Sequence, residues 1–276
     1  MKTLLQHQTL WRRTCEMFLL YGLSIGFASG QVSHGTASIV ILSNSYTVLA
    51  TDSLEQTGDK KTLGVCKVAV TNYSILTTAG IGAIGGVPFD EIFKRNPTFA
   101  RRAAPYEFRS AVALWAEKVR SILEREAEID PRTWQSLPSY NQATFAVVDG
   151  LTPTGSSVGF VVKVQPDRNK NPHYPYLITS IDPIVTPDSL KLGGAAYFTY
   201  AELKDHKTDR ARRSSLRVDQ IDRPRDLASA VISARSFILL AEAWFPKEAG
   251  GEVLSYHLSS IGSGWDSGEH ICNSRH

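Results

Sequence analysis

The amino-acid sequence predicts an α+β fold in which antiparallel β-sheets pack face to face and helices cover their outer sides. Three observations predict it. Apolar, β-branched runs of strand length come in pairs joined by short polar turns, first at His34–Leu42 and Val48–Ser53, then at Val65–Val70 and Ser74–Thr78. Helical periodicity is confined to two stretches, and strand-like runs resume after each of them, the order expected of sheets with segregated helices. With 276 residues and 42% hydrophobic content, the chain can bury a substantial core as one domain.

The first thirty residues are set apart from that domain. Lys2, Arg12 and Arg13 give a positive start, Met17–Phe27 an apolar run, and Ala28-Ser29-Gly30 the small residues of a cleavage site. The run is shorter than the about 20 residues of a membrane span. Residues 1–30 therefore read as a secretory signal peptide, which implies a secreted or periplasmic protein with no membrane association after its removal. An uncleaved anchor or an amphipathic N-terminal helix is the competing reading. Loss of Lys2, Arg12, Arg13 and Glu16 lowers the formal charge from +3 to +1. Basic residues are otherwise scattered, and the short cluster Arg210–Arg213 reads as a solvated helix end or loop, so no nucleic-acid partner is expected. Cys66 and Cys272 remain in the mature chain. They permit one disulfide in an oxidising compartment, although the apolar run around Cys66 is the commoner setting of a buried thiol.

The domain begins with the hairpin His34–Leu42 and Val48–Ser53, closed by Ser43-Asn44-Ser45-Tyr46. Antiparallel pairing brings Thr36, at the head of one strand, beside Asp52, sixteen residues on at the tail of the other. Glu55–Lys61 reads as a polar loop, and Val65–Val70 with Ser74–Thr78 as a second hairpin. The glycine-dense Gly80–Gly86 lacks the Lys-Ser/Thr ending of a phosphate loop and reads as a close backbone approach. Pro88 and Pro97 bracket a short helical segment, Phe89–Arg95. Phe108, Val112, Trp115, Val119 and Ile122 form an apolar helical stripe that extends to Glu126, with Pro105 near its start and Asp130-Pro131 closing it. Ala143–Asp149, Ser157–Val164 and Tyr176–Ile181 predict a meander with a polar loop, Pro166–Pro175, before its last strand. Leu192–Tyr200 predicts a turn into a helix, Asp226–Trp244 a second long helix with Asp226 near its positive end, and Val253–Leu258 a strand. Residues 263–276 read as an unstructured tail.

Gly35-Thr36, Leu49-Ala50-Thr51-Asp52-Ser53, Cys66-Lys67-Val68 and Leu76-Thr77-Thr78-Ala79-Gly80 together resemble the start of a proteasome β-type subunit, an N-terminal-nucleophile (Ntn) hydrolase. The Thr-to-Asp spacing matches without a gap, and the Lys and Gly match with about one residue of slippage. This resemblance implies a four-layer αββα sandwich over residues 36–262, with 31–35 a short propeptide. It implies Thr36 as nucleophile, Asp52 and Lys67 as its supporting pair, and the Gly80 amide as oxyanion donor. It implies neither cofactor nor metal, and no Cys-x-x-Cys or His-x-x-x-His spacing suggests a metal. Leu192-Gly193-Gly194-Ala195 resembles the family's Gly-Ser-Gly-Ser turn, but Gly194 stands at a supporting serine. Pro246 likewise stands where the family carries a supporting aspartate.

A threonine hydroxyl needs a base, and cleavage before Thr36 would supply one: a free α-amine has a reference pKa of about 7.7 to 8. Lys67 would disfavour the protonated amine, and Asp52 would hold Lys67 charged and aimed. The expected activity is self-processing followed by hydrolysis of a peptide or small amide bond. The alternative is an inactive proteasome-like fold that binds or assembles partners. Homo-oligomer formation stays open. His34, His173, His206, His257, His270 and His276 have no Gly-x-Ser-x-Gly motif around them and read as surface or structural.

Overall fold

A computed structural model describes residues 33–34, 37–57, 60–80, 83–84, 87–129, 144–167, 177–184, 189–205 and 208–273. The signal-peptide reading and Thr36 lie outside the described residues. In chain order the strands are β1 (Ser33–His34), β2 (Ala37–Leu42), β3 (Tyr46–Thr51), β4 (Glu55–Thr57), β5 (Lys60–Thr62), β6 (Val68–Val70), β7 (Ser74–Gly80), β8 (Ala83–Ile84) and β9 (Val87–Pro88). Two helices follow, α1 (Phe89–Lys94) and α2 (Pro105–Ile129), and then strands β10 (Thr144–Leu151), β11 (Ser157–Pro166), β12 (Leu177–Pro183) and β13 (Ser189–Gly194). Helices α3 (Ala195–Asp205), α4 (Asp209–Arg213), α5 (Val218–Asp222) and α6 (Leu227–Trp244) lead to β14 (Leu254–Ser259), β15 (Gly262–Ser267) and α7 (Glu269–Asn273).

The strands build two five-stranded antiparallel sheets, in the orders β13-β2-β3-β14-β15 and β12-β11-β10-β7-β6, within a mixed α+β chain compatible with a two-sheet sandwich. Alternation explains why β2 is apolar at nearly every position. Ala37, Ile39 and Ile41 pack with Ala234, Phe237 and Ile238 of α6, whereas Val40 and Leu42 pack with Val147 of β10 and Val161 of β11 between the sheets. A strand covered on both faces needs no polar side. On the other sheet, Ala146 and Val148 of β10 face Phe108, Val112, Trp115 and Val119 of α2, the predicted stripe. Asp226 caps α6 by accepting from the Ser229 amide at 2.8 Å, which fixes the predicted start of that helix.

Three expectations need correction. Glu55–Lys61 is not a plain loop: β4 and β5 pair, and β1 adds to the other edge of β4, so Ser33 and His34 of the predicted propeptide lie opposite Thr57 and Gln56. Residues 263–276 are not an unstructured tail up to 273. β15 pairs with β14, Trp265 packs edge-on against Tyr256, and Ile271 is buried. Glycines and serines hid this strand because an edge position asks for little apolar surface. Finally, Cys66 is no buried thiol; it is disulfide-bonded to Cys272 of α7, 206 residues away. β13, which opens the segment read as a turn, completes the edge of the first sheet beside β2.

Candidate active site

The site grows out of the β2–β3 hairpin. The turn closes with the Ser43 amide donating to the Tyr46 carbonyl at 2.8 Å, and the register runs from Leu42 opposite Thr47 to Ser38 opposite Thr51. One step further, the Asp52 amide donates to the Ala37 carbonyl at 3.1 Å, and the Ala37 amide donates to Asp52 Oδ1 at 2.9 Å. Ala37 is the residue that follows Thr36 in the chain. The predicted meeting of the two strand ends is therefore seen through Ala37.

Asp52 is fully buried, and its carboxylate is well supplied with donors. Oδ1 also accepts from Lys67 Nζ at 2.9 Å, and Oδ2 accepts from the Gly250 amide at 3.1 Å. The Lys67 side chain is 9% exposed, so the pair forms in a site with little water, where neither charge is tolerable alone. Lys67 lies in the short link before β6. Its neighbour Cys66 is tied to α7 by the disulfide, and the Thr77 hydroxyl of β7 donates to the Lys67 carbonyl at 3.4 Å. Ser53 clamps the same corner: its hydroxyl accepts from the Glu252 amide at 2.7 Å, and its carbonyl accepts from the Val65 amide at 2.9 Å.

The remaining predicted positions are placed as follows. Gly80 ends β7, opposite Thr144 of β10, and β7 packs near β1 and β2 across the sandwich. Gly194, standing at the expected serine, is directly opposite Ala37 in the β13–β2 ladder, so the position is close to the site and its side chain is missing. Pro246 offers only its carbonyl, which accepts from Lys61 Nζ at 3.5 Å. His257, read as surface or structural, is half-buried, with Nδ1 3.0 Å from Asp266 Oδ1 on the far edge of the same sheet. Among the described residues, no group of three His, Cys, Asp or Glu side chains could hold a metal ion.

Sequence reasoning missed Glu242. It lies in the last turn of α6, four residues before Pro246, and its Oε1 is buried with no hydrogen-bond partner among the described residues. Burial pushes its carboxyl up to about 7; the Asp52 charge adds to that rise and Lys67 opposes it. The available signal was compositional: Glu242 is the only acid in a mostly apolar helix whose other charged residue is Arg235.

No known protein family and no curated protein matches the chain.

Proposed function

We propose that the chain is an exported, self-processing N-terminal-threonine hydrolase of the proteasome-like Ntn type, acting on a peptide or small amide bond. One observation carries the reading: the buried Asp52 carboxylate holds Lys67 and, through the same oxygen, the amide of Ala37, the residue after Thr36. Two sheets with apolar cores on their outer faces, under α2 and α6, support the αββα arrangement. A disulfide between Cys66 and Cys272 fits an oxidising compartment and hence export.

On this reading the Thr36 hydroxyl attacks the Gly35 carbonyl carbon, and the Gly35–Thr36 C–N bond breaks. The departing nitrogen takes up the proton released by the hydroxyl, and an ester links Gly35 to Thr36 Oγ1. Water then hydrolyses the ester, freeing the Gly35 carboxyl and regenerating the hydroxyl beside a new α-amine. In turnover that amine accepts the hydroxyl proton and returns it to the leaving group. Lys67 keeps the amine in its neutral form by charge repulsion, and Asp52 keeps Lys67 in place. The Gly80 amide serves as oxyanion donor, a role typically worth about 2.7 to 4 kcal/mol.

A second reading, an inactive relative that binds or assembles partners, is favoured by Gly194 and Pro246 at the two supporting positions. N-terminal sequencing of mature protein separates the two. The hydrolase gives a wild-type chain beginning at Thr36 and a Thr36→Ala chain beginning at Gln31. If both begin at Gln31, the binding reading replaces it.

A further inference from the structure

We propose that the cavity between the two sheets into which Lys163 and Lys191 project is a subsite for a carboxylate monoanion carried by a peptide; its place as a substrate subsite of the Thr36 centre rests on the hydrolase reading above.

Strand alternation aims both lysines into one space. Val162 and Val164 of β11 pack under α2 while Val161 faces the other sheet, so Lys163 faces that sheet too. In β13, Leu190 and Leu192 pack on the helix-covered side, so Lys191 faces inward from the opposite sheet. Both line a single cavity of about 390 Å³.

The two side chains are half-buried, and among the described residues neither ammonium has an ion-pair or hydrogen-bond partner. Asp182, also on the lining, is exposed and accepts from the Ser180 hydroxyl at 3.4 Å. Two ammoniums against one carboxylate leave one net positive charge in a space partly withdrawn from water. An ammonium so withdrawn is stabilised by an anion, and a single excess charge matches a carboxylate better than a doubly charged phosphate. The other walls suit the peptide that carries it. The Tyr200 hydroxyl donates to Asp222 at 2.9 Å, so this residue offers the cavity a fixed ring, and Val161 and Leu192 add apolar surface. Protection of a sheet edge accounts for a lysine on β13, an edge strand, but not for one on β11, which lies between β12 and β10.

β13 joins this cavity to the candidate active site. In its ladder with β2, Lys191 is opposite Val40 and Gly194 is opposite Ala37, a separation of about 10 Å along the strand. An extended peptide covers that distance in about three residues. On the hydrolase reading, a carboxylate held between the lysines therefore sets the scissile bond about three residues away, and the substrate class is acidic peptides or peptides ending in a free carboxylate.

The test is binding to the mature full-length protein, followed by calorimetry and by the 15Nζ resonances of Lys163 and Lys191. Three probes separate the sources of the carboxylate: acetyl-trialanine with a free C-terminus, its C-terminal amide, and acetyl-Ala-Glu-Ala amide. A carboxylate probe should bind about tenfold more tightly than the trialanine amide and shift both lysine resonances. Preference for the free C-terminus assigns the subsite to a chain end, and preference for the glutamate probe assigns it to an acidic side chain; either upholds the proposal. Lys163→Gln and Lys191→Gln, which remove no internal partner, should each abolish that preference, and added salt should weaken it. In the active enzyme the same variants should raise KM for carboxylate substrates with kcat unchanged. Lysine-dependent binding in a chain that still begins at Gln31 upholds the subsite and sinks the hydrolase reading. Equal binding of carboxylate and amide probes, no binding of any probe, or a KM indifferent to both variants in an active enzyme overturns the proposal; the last of these leaves the hydrolase standing.

Discussion

Asp149, on β10, faces the space between the two sheets and is fully buried; the Thr47 hydroxyl of β3 donates to Oδ2, while Oδ1 has no partner among the described residues. Burial pushes this carboxyl up to about 8 against the opposing pull of Thr47. Asp52 is equally buried but meets Lys67 and two backbone amides, so burial alone does not decide how a carboxyl is accommodated. The consequence for stability has a definite sign. Between the ordinary value of 3.8 and about 8, the folded chain holds a proton at Asp149 that the unfolded chain has released. Unfolding free energy from this group therefore falls as pH rises, by about 1.4 kcal/mol per unit across that window. Asp149→Asn should flatten this slope, and the variant should be more stable than wild type at pH 8. Denaturant melts at pH 5 and pH 8 check it; equal slopes in both proteins would refute the assignment.

At the scale of elements, the turn after α6 holds the site from behind. Gly251 has φ +92°, and a Cβ there would lie 2.5 Å from Ser53 Oγ, the atom that accepts from the Glu252 amide. Gly251→Ala should cost about 1 to 2 kcal/mol for the left-handed backbone alone. It should also loosen the Gly250–Asp52 bond and so, on the proposed hydrolase reading, lower activity more than the stability loss explains; thermal melts beside rate measurements separate the two. The β2–β3 hairpin was legible in the sequence as two apolar, β-branched runs joined by a polar turn, and α2 and α6 as apolar stripes at helical spacing that end in caps or prolines. The Asp52–Lys67 pair was legible only through the family resemblance, since hairpin pairing placed Asp52 beside Thr36 but said nothing of Lys67. β4, β5 and β15 were not, because the polar Glu55–Thr57 and Lys60–Thr62 and the Gly- and Ser-rich Gly262–Ser267 leave no apolar pattern. Glu242 was not either, since the burial of its carboxyl is set by parts of the fold distant in sequence.

For the molecule as a whole, the disulfide links the front of the site to the end of the fold. Cys66 precedes Lys67, and Cys272 sits on α7, which packs by Ile271 into the core between the sheets. Cys272→Ser should lower stability by about 2 to 5 kcal/mol, as loss of a bridge across a long loop does. On the proposed hydrolase reading, activity should fall with it, because the Lys67 link loses its tether. Melting curves with and without reductant provide the check: wild type should lose stability on reduction and the variant should not respond. The bond also imposes an order in time. A bridge spanning 206 residues cannot close until translation has passed Cys272, by which point every strand of both sheets has been made. The lysine's last restraint thus arrives after the scaffold, and a chain that cuts itself would gain its fully tethered centre only once there is a complete fold to survive the cut.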